Sequence, residues 1–275
     1  MFCKEAPPIH QPLPKVRTLS SPTTTASPSE STVSKRAIVV GASSGMGAEL
    51  VGRLAADGWQ VAAIARREQP LSELQSSAPA GAVHVHAHDV TNTGEIPGLF
   101  EDIVRDLGGL DLFIFAAGVM PEVGAEEYNT EKDFLQFAVN LGGCVAWTNE
   151  VALYMQSARA GTIVGISSIA GDRGRKPNPA YHTSKAAMST YLESLRNRLS
   201  SYDVHVCTIK PGTVLTPMTE GMDDLKWPIP VEDAVTDILR AIEKKKNTAY
   251  VPFRWQLVSL VIQHIPSMVF RKLNF

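Results

Sequence analysis

From Lys35 onward, short apolar runs alternate with longer segments of helical pattern, and this alternation constrains the fold more than any other feature of the sequence. Apolar runs of this length are typical of buried strands. Buried strands that alternate with helices predict an α/β domain with a doubly wound parallel sheet, covered on both faces. Ligands of such sheets bind at the carboxyl ends of the strands. We expect strands at 37–40, 61–65, 83–87, 112–115, 162–166, 204–209 and 249–251, and helices at 45–56, 131–157, 180–199 and 231–243.

Composition and charge exclude several classes of protein. The chain has 275 residues, of which 44% are hydrophobic and 20% charged, as in ordinary globular proteins. A net charge of −2 gives no reason to expect binding to nucleic acid. The cysteines Cys3, Cys144 and Cys207 are odd in number and widely spaced, which favours a reducing compartment and a cytoplasmic protein. No apolar run approaches the roughly 20 residues that cross a bilayer.

The two ends of the sequence differ from the domain predicted between them at 35–251. Residues 1–34 are rich in proline, serine and threonine, which predicts a disordered tail, with a targeting peptide as the less favoured alternative. Residues 252–275 are rich in aliphatic side chains, are interrupted by Pro266 and end near Arg271 and Lys272. We predict an apolar, amphipathic C-terminal helix there. This helix either packs on the protein or a partner subunit, or lies at a membrane interface as a peripheral contact.

A glycine-rich turn follows the first predicted strand directly, with the spacing G-x-x-x-G-x-G over 41–47. Glycine lets the backbone turn tightly and approach a ligand closely. The helix that begins near Gly45 directs free N–H groups and the positive end of its dipole toward the turn. The turn is therefore suited to the pyrophosphate of a dinucleotide. The expected contacts come from Gly41, Ser43, Ser44, Gly45, Met46 and Gly47.

Tyr181 and Lys185 stand four residues apart in a predicted helix, so they share one helix face. A free tyrosine has a pKa of about 10, and a nearby cation lowers it. A shift to neutrality needs about three pKa units, or roughly 4 kcal/mol. Ser168 lies thirteen positions upstream (181 − 168 = 13), with Ser167 as its neighbour and runner-up.

The glycine-rich turn, Ser168, Tyr181 and Lys185 together resemble the short-chain dehydrogenase/reductase family of the Tyr-x-x-x-Lys type, over about 35–251. The resemblance implies a Rossmann-type domain, a nicotinamide cofactor and carbonyl/alcohol chemistry. By the same resemblance, Ser168 stabilises charge on the substrate oxygen and Tyr181 exchanges a proton with it. Lys185 lowers the tyrosine pKa and holds the nicotinamide ribose. Asn140 matches the fourth catalytic residue, which orients Lys185 through water.

Further matches to the family lie after later strands. Asp89-Val90 matches its adenine-binding pair, and Ala117-Gly118 matches the end of its Asn-Asn-Ala-Gly motif. Here Phe115 and Ala116 replace the two asparagines, which removes side-chain hydrogen bonds near the adenosine. A Pro-Gly segment after the sixth strand matches the one beside the nicotinamide. The cofactor contacts implied are Asp89, Val90, Ala117, Gly118, Tyr181, Lys185, Pro211, Gly212, Val214 and Thr216.

The choice of cofactor follows from charge at the end of the second strand. An acidic residue there would hold the ribose hydroxyl of NAD and repel the phosphate of NADP. That position is Ala65, followed by Arg66 and Arg67. Arginine binds phosphate through two hydrogen bonds, and Ser43 adds a further donor. We therefore predict a preference for NADP(H).

Four histidines, at 84, 86, 88 and 182, are not expected to take part in the chemistry. His182 follows Tyr181 by one residue, so it points about 100° away on the helix. His84, His86 and His88 alternate along one strand, where packing in the core is favoured over a metal site. We predict no bound metal.

Two loops and the C-terminal segment bear on the substrate. The basic loop 172–176 could attract an anion, and the segment 216–230 contains Met218, Met222 and Trp227, which suit an apolar ligand. We predict an oxidoreductase that interconverts a ketone and a secondary alcohol on a lipophilic or amphiphilic substrate. The alternatives are a reductase of a polyprenyl-phosphate-linked keto-sugar, a non-catalytic NADP-binding sensor or scaffold, and epimerase or dehydratase chemistry. By resemblance, the 131–157 helix lies in a homodimer or homotetramer interface.

Overall fold

A seven-stranded parallel sheet forms the centre of the computed structural model, which describes residues 35–124, 126–222 and 225–273. The strand order is β3-β2-β1-β4-β5-β6-β7, so the chain reverses direction across the sheet between β1 and β4. Loops after these two strands face each other at the switch point, where ligands of such sheets bind. The predicted doubly wound α/β fold is confirmed. The strands are β1 Arg36–Val40, β2 Gln60–Ala65, β3 Val83–Ala87, β4 Leu112–Phe115, β5 Gly161–Ile166, β6 Val204–Pro211 and β7 Thr248–Val251.

Helices cover both faces of the sheet, because alternate residues of each strand point to opposite sides. Ala37 and Val39 of β1 join one core cluster, whereas Ile38 and Val40 join the other. The helices are α1 Gly45–Ala56, α2 Glu68–Ser77, α3 Ile96–Leu107, α4 Thr130–Gln136, α5 Gly143–Ala158, α6 Pro179–Leu199, α7 Val231–Glu243, α8 Arg254–His264 and α9 Ser267–Phe270. Helices α1 and α7 pack on the first cluster, and α3, α5 and α6 pack on the second.

The prediction of one regular helix over 131–157 is wrong in its middle. A π-helical turn, Phe137–Gly142, separates α4 from α5. The wider turn carries Asn140, whose side chain is buried and reaches the loop after β4 and the Ser184 hydroxyl of α6. Single π turns inside α-helices are frequent at functional sites.

The C-terminal segment packs on the same subunit through one face only. Trp255, Ser259 and Ile262 of α8 are buried, at helical spacing. Leu257, Leu260 and Val261, on the opposite face, are each more than half exposed. Across the described ranges, no helix is both long and apolar enough to cross a membrane. The disordered tail predicted for 1–34 lies outside the described residues.

Candidate active site

The glycine-rich turn between β1 and α1 has a backbone that only glycine accommodates at its first position. Gly41 has φ +92°, and a Cβ there would collide with the backbone of Ala116 and Ala117 after β4. The backbone N–H groups of Gly41 and Ala42 donate to the carbonyl of Ile64 on β2. The turn is thus fixed against both neighbouring strands. Ser44 is the N-cap residue of α1, but its hydroxyl accepts no hydrogen bond from the backbone of the helix.

A cavity of about 220 Å³ lies at this turn, along the carboxyl ends of β1, β2 and β4. It collects thirteen of the residues predicted to bind the cofactor, namely Gly41, Ser43, Ser44, Gly45, Met46, Gly47, Arg66, Arg67, Asp89, Val90, Ala117, Gly118 and Thr216. Its lining also includes His88, Ala116, Val119, Val139 and Met218, which the sequence did not indicate as cofactor contacts. His88 is buried, and its ring makes an edge-to-face contact with Trp147, so it is also part of the core.

Two arginines at the end of β2 give the cavity a positive rim. Arg67 donates to the hydroxyls of Ser43 and Ser44 at 2.9 and 2.8 Å, and thereby connects β2 to the turn. Arg66 is largely exposed and lies 3.6 Å from the carboxylate of Asp89. The guanidinium groups and serine hydroxyls form a donor set that fits a phosphate.

A second cavity of about 730 Å³ adjoins the first and shares Met46, Thr216 and Met218 with it. The predicted residues Ser168, Tyr181, Pro211, Gly212 and Val214 line this second cavity. Much of the remaining lining is apolar: Met120, Pro121, Val123, Ile169, Met222 and Leu225. The glycine-rich turn therefore lies beside a larger cavity whose lining combines apolar and polar side chains.

Ser168 and Tyr181 come together in the second cavity. The Ser168 hydroxyl accepts from the Ala170 N–H at 3.0 Å and donates to the Pro211 carbonyl at 3.5 Å, and its influence on the nearby phenol of Tyr181 lowers the pKa of that phenol. Neighbouring Ser167 is engaged elsewhere, since it donates to the Lys185 carbonyl at 2.9 Å and bonds Ser189. The geometry therefore favours Ser168 over Ser167 as the candidate catalytic serine, as the thirteen-residue spacing to Tyr181 predicted.

Burial sets the pKa of Tyr181. It raises the pKa to about 12, and the nearby Ser168 hydroxyl opposes this shift. Lys185 Nζ lies 5.8 Å from the centre of the tyrosine ring and is not among the groups that shift this pKa. The role predicted for Lys185, to lower the tyrosine pKa together with a bound nicotinamide, stays a prediction. The phenol carries its proton at neutral pH.

Lys185 and Asn140 lie beneath the two cavities. The ammonium of Lys185 is 4% exposed and donates to the Ile166 carbonyl at 2.9 Å, while burial lowers its pKa to about 8. The Asn140 amide accepts from the Val119 N–H at 2.7 Å and donates to the Val119 carbonyl and to Ser184. A Cβ on Gly118 would lie 3.4 Å from Asn140 Oδ1 and 3.5 Å from Lys185 Nζ. The two side chains thus converge on the same glycine.

Asn178 and His182 shape the start of α6. Asn178 caps the helix by accepting from the Tyr181 N–H at 3.2 Å and donates to the Pro121 carbonyl. Its Asn-Pro pair before a helix was the sequence signal for this cap. His182 is buried, and its Nδ1 donates to the Ala170 carbonyl at 2.8 Å. His182 therefore holds the turn that follows Ser168, residues 169–172, against α6. This agrees with the packing role expected for it.

Comparison with known protein families shows which family this chain belongs to. A family model described as short chain dehydrogenase matches residues 35–226. This chain belongs to the short-chain dehydrogenase family. The resemblance read from the glycine-rich turn and the Tyr-x-x-x-Lys motif is thereby confirmed.

Relatives and solved structures agree with this family. Proteins described as uncharacterized oxidoreductases include one from Myxococcus xanthus, 34% identical over 81% of this chain and 88% of its own length, and one from Staphylococcus epidermidis, 32% identical over 69% and 82%. A short chain dehydrogenase from Burkholderia cenocepacia in complex with NADP has a similar fold, with a TM-score of 0.76, 23% identity and coverage of 88% and 99%. ElxO with NADP bound gives a TM-score of 0.73 at 19% identity, over 79% and 97%. The chain is therefore an NAD(P)-dependent oxidoreductase that acts on a small molecule.

Gly41→Ala should weaken binding of the dinucleotide, because alanine at φ +92° strains the backbone by about 1–3 kcal/mol and collides with the backbone of Ala116 and Ala117. Fluorescence titration with NADPH measures the loss, and thermal unfolding separates it from a loss of the fold. Gly52→Ala is the matched control, since a Cβ there meets nothing within 4 Å and alanine favours a helix. Equal affinities of the two variants would contradict the assignment of the turn.

Proposed function

We propose that this dehydrogenase interconverts a ketone and a secondary alcohol on a lipophilic substrate, with NADP(H) as cofactor. The observation that carries the proposal is the position of Ser168 and Tyr181 in a cavity of about 730 Å³ with many apolar lining residues, next to the cavity at the glycine-rich turn. A volume of this size is typical of a small-molecule site. The hydroxyl and the phenol supply two groups that can hold a carbonyl oxygen.

The proposed roles follow from the contacts of each side chain. A bound nicotinamide supplies or accepts the hydride. Ser168 holds the substrate oxygen and stabilises its developing charge. Tyr181, protonated at neutral pH, gives its proton to that oxygen in the direction of reduction. Lys185 and Asn140 support the cofactor side, where they converge on Gly118.

The lining of the second cavity supports an apolar substrate. Met46, Met120, Met218 and Met222 contribute flexible thioethers that adapt to irregular apolar shapes. The sequence suggested that the basic loop 172–176 attracts an anionic substrate, such as a polyprenyl-phosphate-linked keto-sugar. The structure gives this alternative less support. Arg173 donates to the carbonyls of Ile262 and Ile265 in the C-terminal segment instead of lining the cavity. Arg175 does line the cavity, so one cation of the loop remains at the site.

The preference for NADP(H) rests on the rim of the first cavity. Arg66 and Arg67 line it together with Ser43, and Ala65 occupies the position where an acid would select NAD. Two solved structures of similar fold contain NADP, which agrees with this preference.

Tyr181→Phe should reduce ketone turnover by at least about a hundredfold, because the ring remains and the proton donor is lost. Dinucleotide affinity should stay within about twofold. Reduction by the wild-type enzyme should decline as pH rises toward the phenol pKa of about 12, whereas alcohol oxidation should rise. Steady-state rates with a ketone panel and NADPH measure both effects. Tyr128→Phe, at a side chain that is 99% exposed, is the matched control. Near-normal turnover by Tyr181→Phe would exclude this mechanism.

Arg66→Gln should raise the KM for NADPH by about 10- to 100-fold, the range expected when a charged hydrogen bond to phosphate is lost. The KM for NADH should change little, because that cofactor lacks the phosphate. Arg198→Gln provides an exposed arginine far from the cavity as the control. A wild-type enzyme that uses NADH more efficiently than NADPH would overturn the assignment.

We also propose a homo-oligomer, a dimer or a tetramer, and a peripheral membrane contact. Phe134, Leu135 and Leu153 of α4 and α5 are exposed and suit a subunit interface, which sedimentation of the native protein would detect. The exposed face of α8 combines three aliphatic side chains with a segment, 252–275, that contains no acidic residue. Such a surface suits an anionic bilayer.

The membrane contact predicts that the protein floats with phosphatidylserine vesicles and less well with phosphatidylcholine vesicles. The double change Leu257→Ser and Leu260→Ser should abolish flotation, because it removes most of the exposed apolar face. Gln256→Ser on the same helix is the control. Absence of the wild-type protein from the vesicle fraction would exclude this contact.

A further inference from the structure

The C-terminal helix α8 lies beyond residues 35–226 that match the family, yet its buried face contacts the turn that carries Ser168. That turn is a short 3-10 helix, Ile169–Asp172, directly after Ser168. The Gly171 N–H donates to the Ser168 carbonyl at 3.1 Å, so the turn and the serine form one hydrogen-bonded unit. Any group that fixes the end of the turn therefore also fixes Ser168.

Asp172, at the end of the turn, joins three separate elements of the fold. Its side chain is 2% exposed. One carboxylate oxygen accepts from Lys210 Nζ of β6 at 2.5 Å. The other oxygen accepts from the Tyr250 hydroxyl of β7 at 3.0 Å and from the Ser259 hydroxyl of α8 at 2.5 Å. A buried carboxylate is tolerated only when it is paired and hydrogen-bonded in this way, so these donors hold Asp172 in one place.

The opposite side of the turn has no room to move. A Cβ on Gly171 would lie 2.6 Å from the backbone carbon of Lys185, so the turn packs directly against α6. The turn is therefore held between the backbone of α6 on one side and the donors to Asp172 on the other. Displacement of the Asp172 side would let Ser168 move away from Tyr181.

Arg173 and Trp255 strengthen the same connection. Arg173 donates to the carbonyls of Ile262 and Ile265, each at 2.5 Å, at the C-terminal end of α8, where a cation also suits the helix dipole. The indole of Trp255 covers Gly212, where any side chain would collide with it. Helix α8 thus contacts two of the segments that line the second cavity, the turn after Ser168 and the segment after β6.

We propose that Asp172 is a positioning residue, which uses α8 to hold Ser168 in the geometry required for hydride transfer. The proposal rests on the role proposed for Ser168 and Tyr181. Asp172 contacts neither substrate nor cofactor in this role; it acts through the turn. The C-terminal helix is accordingly part of the active-site structure.

The test compares Asp172→Asn and Ser259→Ala with the wild-type protein. Asp172→Asn should lower kcat for ketone reduction by about 10- to 100-fold, since small displacements of positioning groups have effects of this size. The KM and dissociation constant for NADPH should stay within about twofold, because the nucleotide cavity is untouched. Ser259→Ala removes one donor of three and should lower kcat less. The control is Asp102→Asn, an exposed acid paired with Arg105 on α3.

Hydrogen exchange gives a readout that does not depend on turnover. Peptides covering 167–173 should exchange faster in Ser259→Ala, while peptides of β2 should not change. Unchanged exchange and unchanged kcat in Ser259→Ala would overturn the proposal, even if Asp172→Asn fails to fold. A wild-type protein that reduces no carbonyl would instead refute the proposed function, and the exchange rates would still decide whether α8 holds the turn.

Discussion

Burial of the Lys185 ammonium is the constraint on which the rest of the site depends. Removal of a charge from water costs several kcal/mol unless protein groups replace the lost hydration. The Ile166 carbonyl at the end of β5 provides one such group, and Gly118, which lacks a side chain, leaves space beside the ammonium. These contacts require α6, the end of β5 and the loop after β4 to meet at one point. Parallel pairing of β4 with β5 brings the two strand ends together there.

The fold could be predicted largely from local patterns. Strands β3 and β4 and helix α7 begin and end at the residues that the sequence indicated, because strand and helix periodicity are set within a few residues. The π-helical turn could not be found this way, since Asn140 within it is bound to Ser184, 44 residues later. Helix α2 was not delimited from the sequence because only Leu71 is buried, which leaves almost no apolar stripe to detect.

The site residues that directly follow a strand could be predicted, because their position along the chain places them at one edge of the sheet. Gly41, Asp89, Ser168 and Thr216 each follow a strand, and the ends of parallel strands share one edge of the sheet. The partners of charged groups were not predictable, because they come from distant elements. Arg173 was read as part of a basic loop at the site, yet it binds carbonyls 89 and 92 residues further along. The pKa of Tyr181 likewise depends on burial, which the spacing to Lys185 does not report.

The contacts of Asp172 also have a consequence for synthesis of the protein. Its three hydrogen-bond donors lie 38, 78 and 87 residues downstream. On a ribosome, the sheet from β1 to β5 emerges well before Tyr250 and Ser259, so the Ser168 turn cannot be held during most of translation. A nascent chain that ends before Ser259 lacks one of the three hydrogen bonds that hold Asp172.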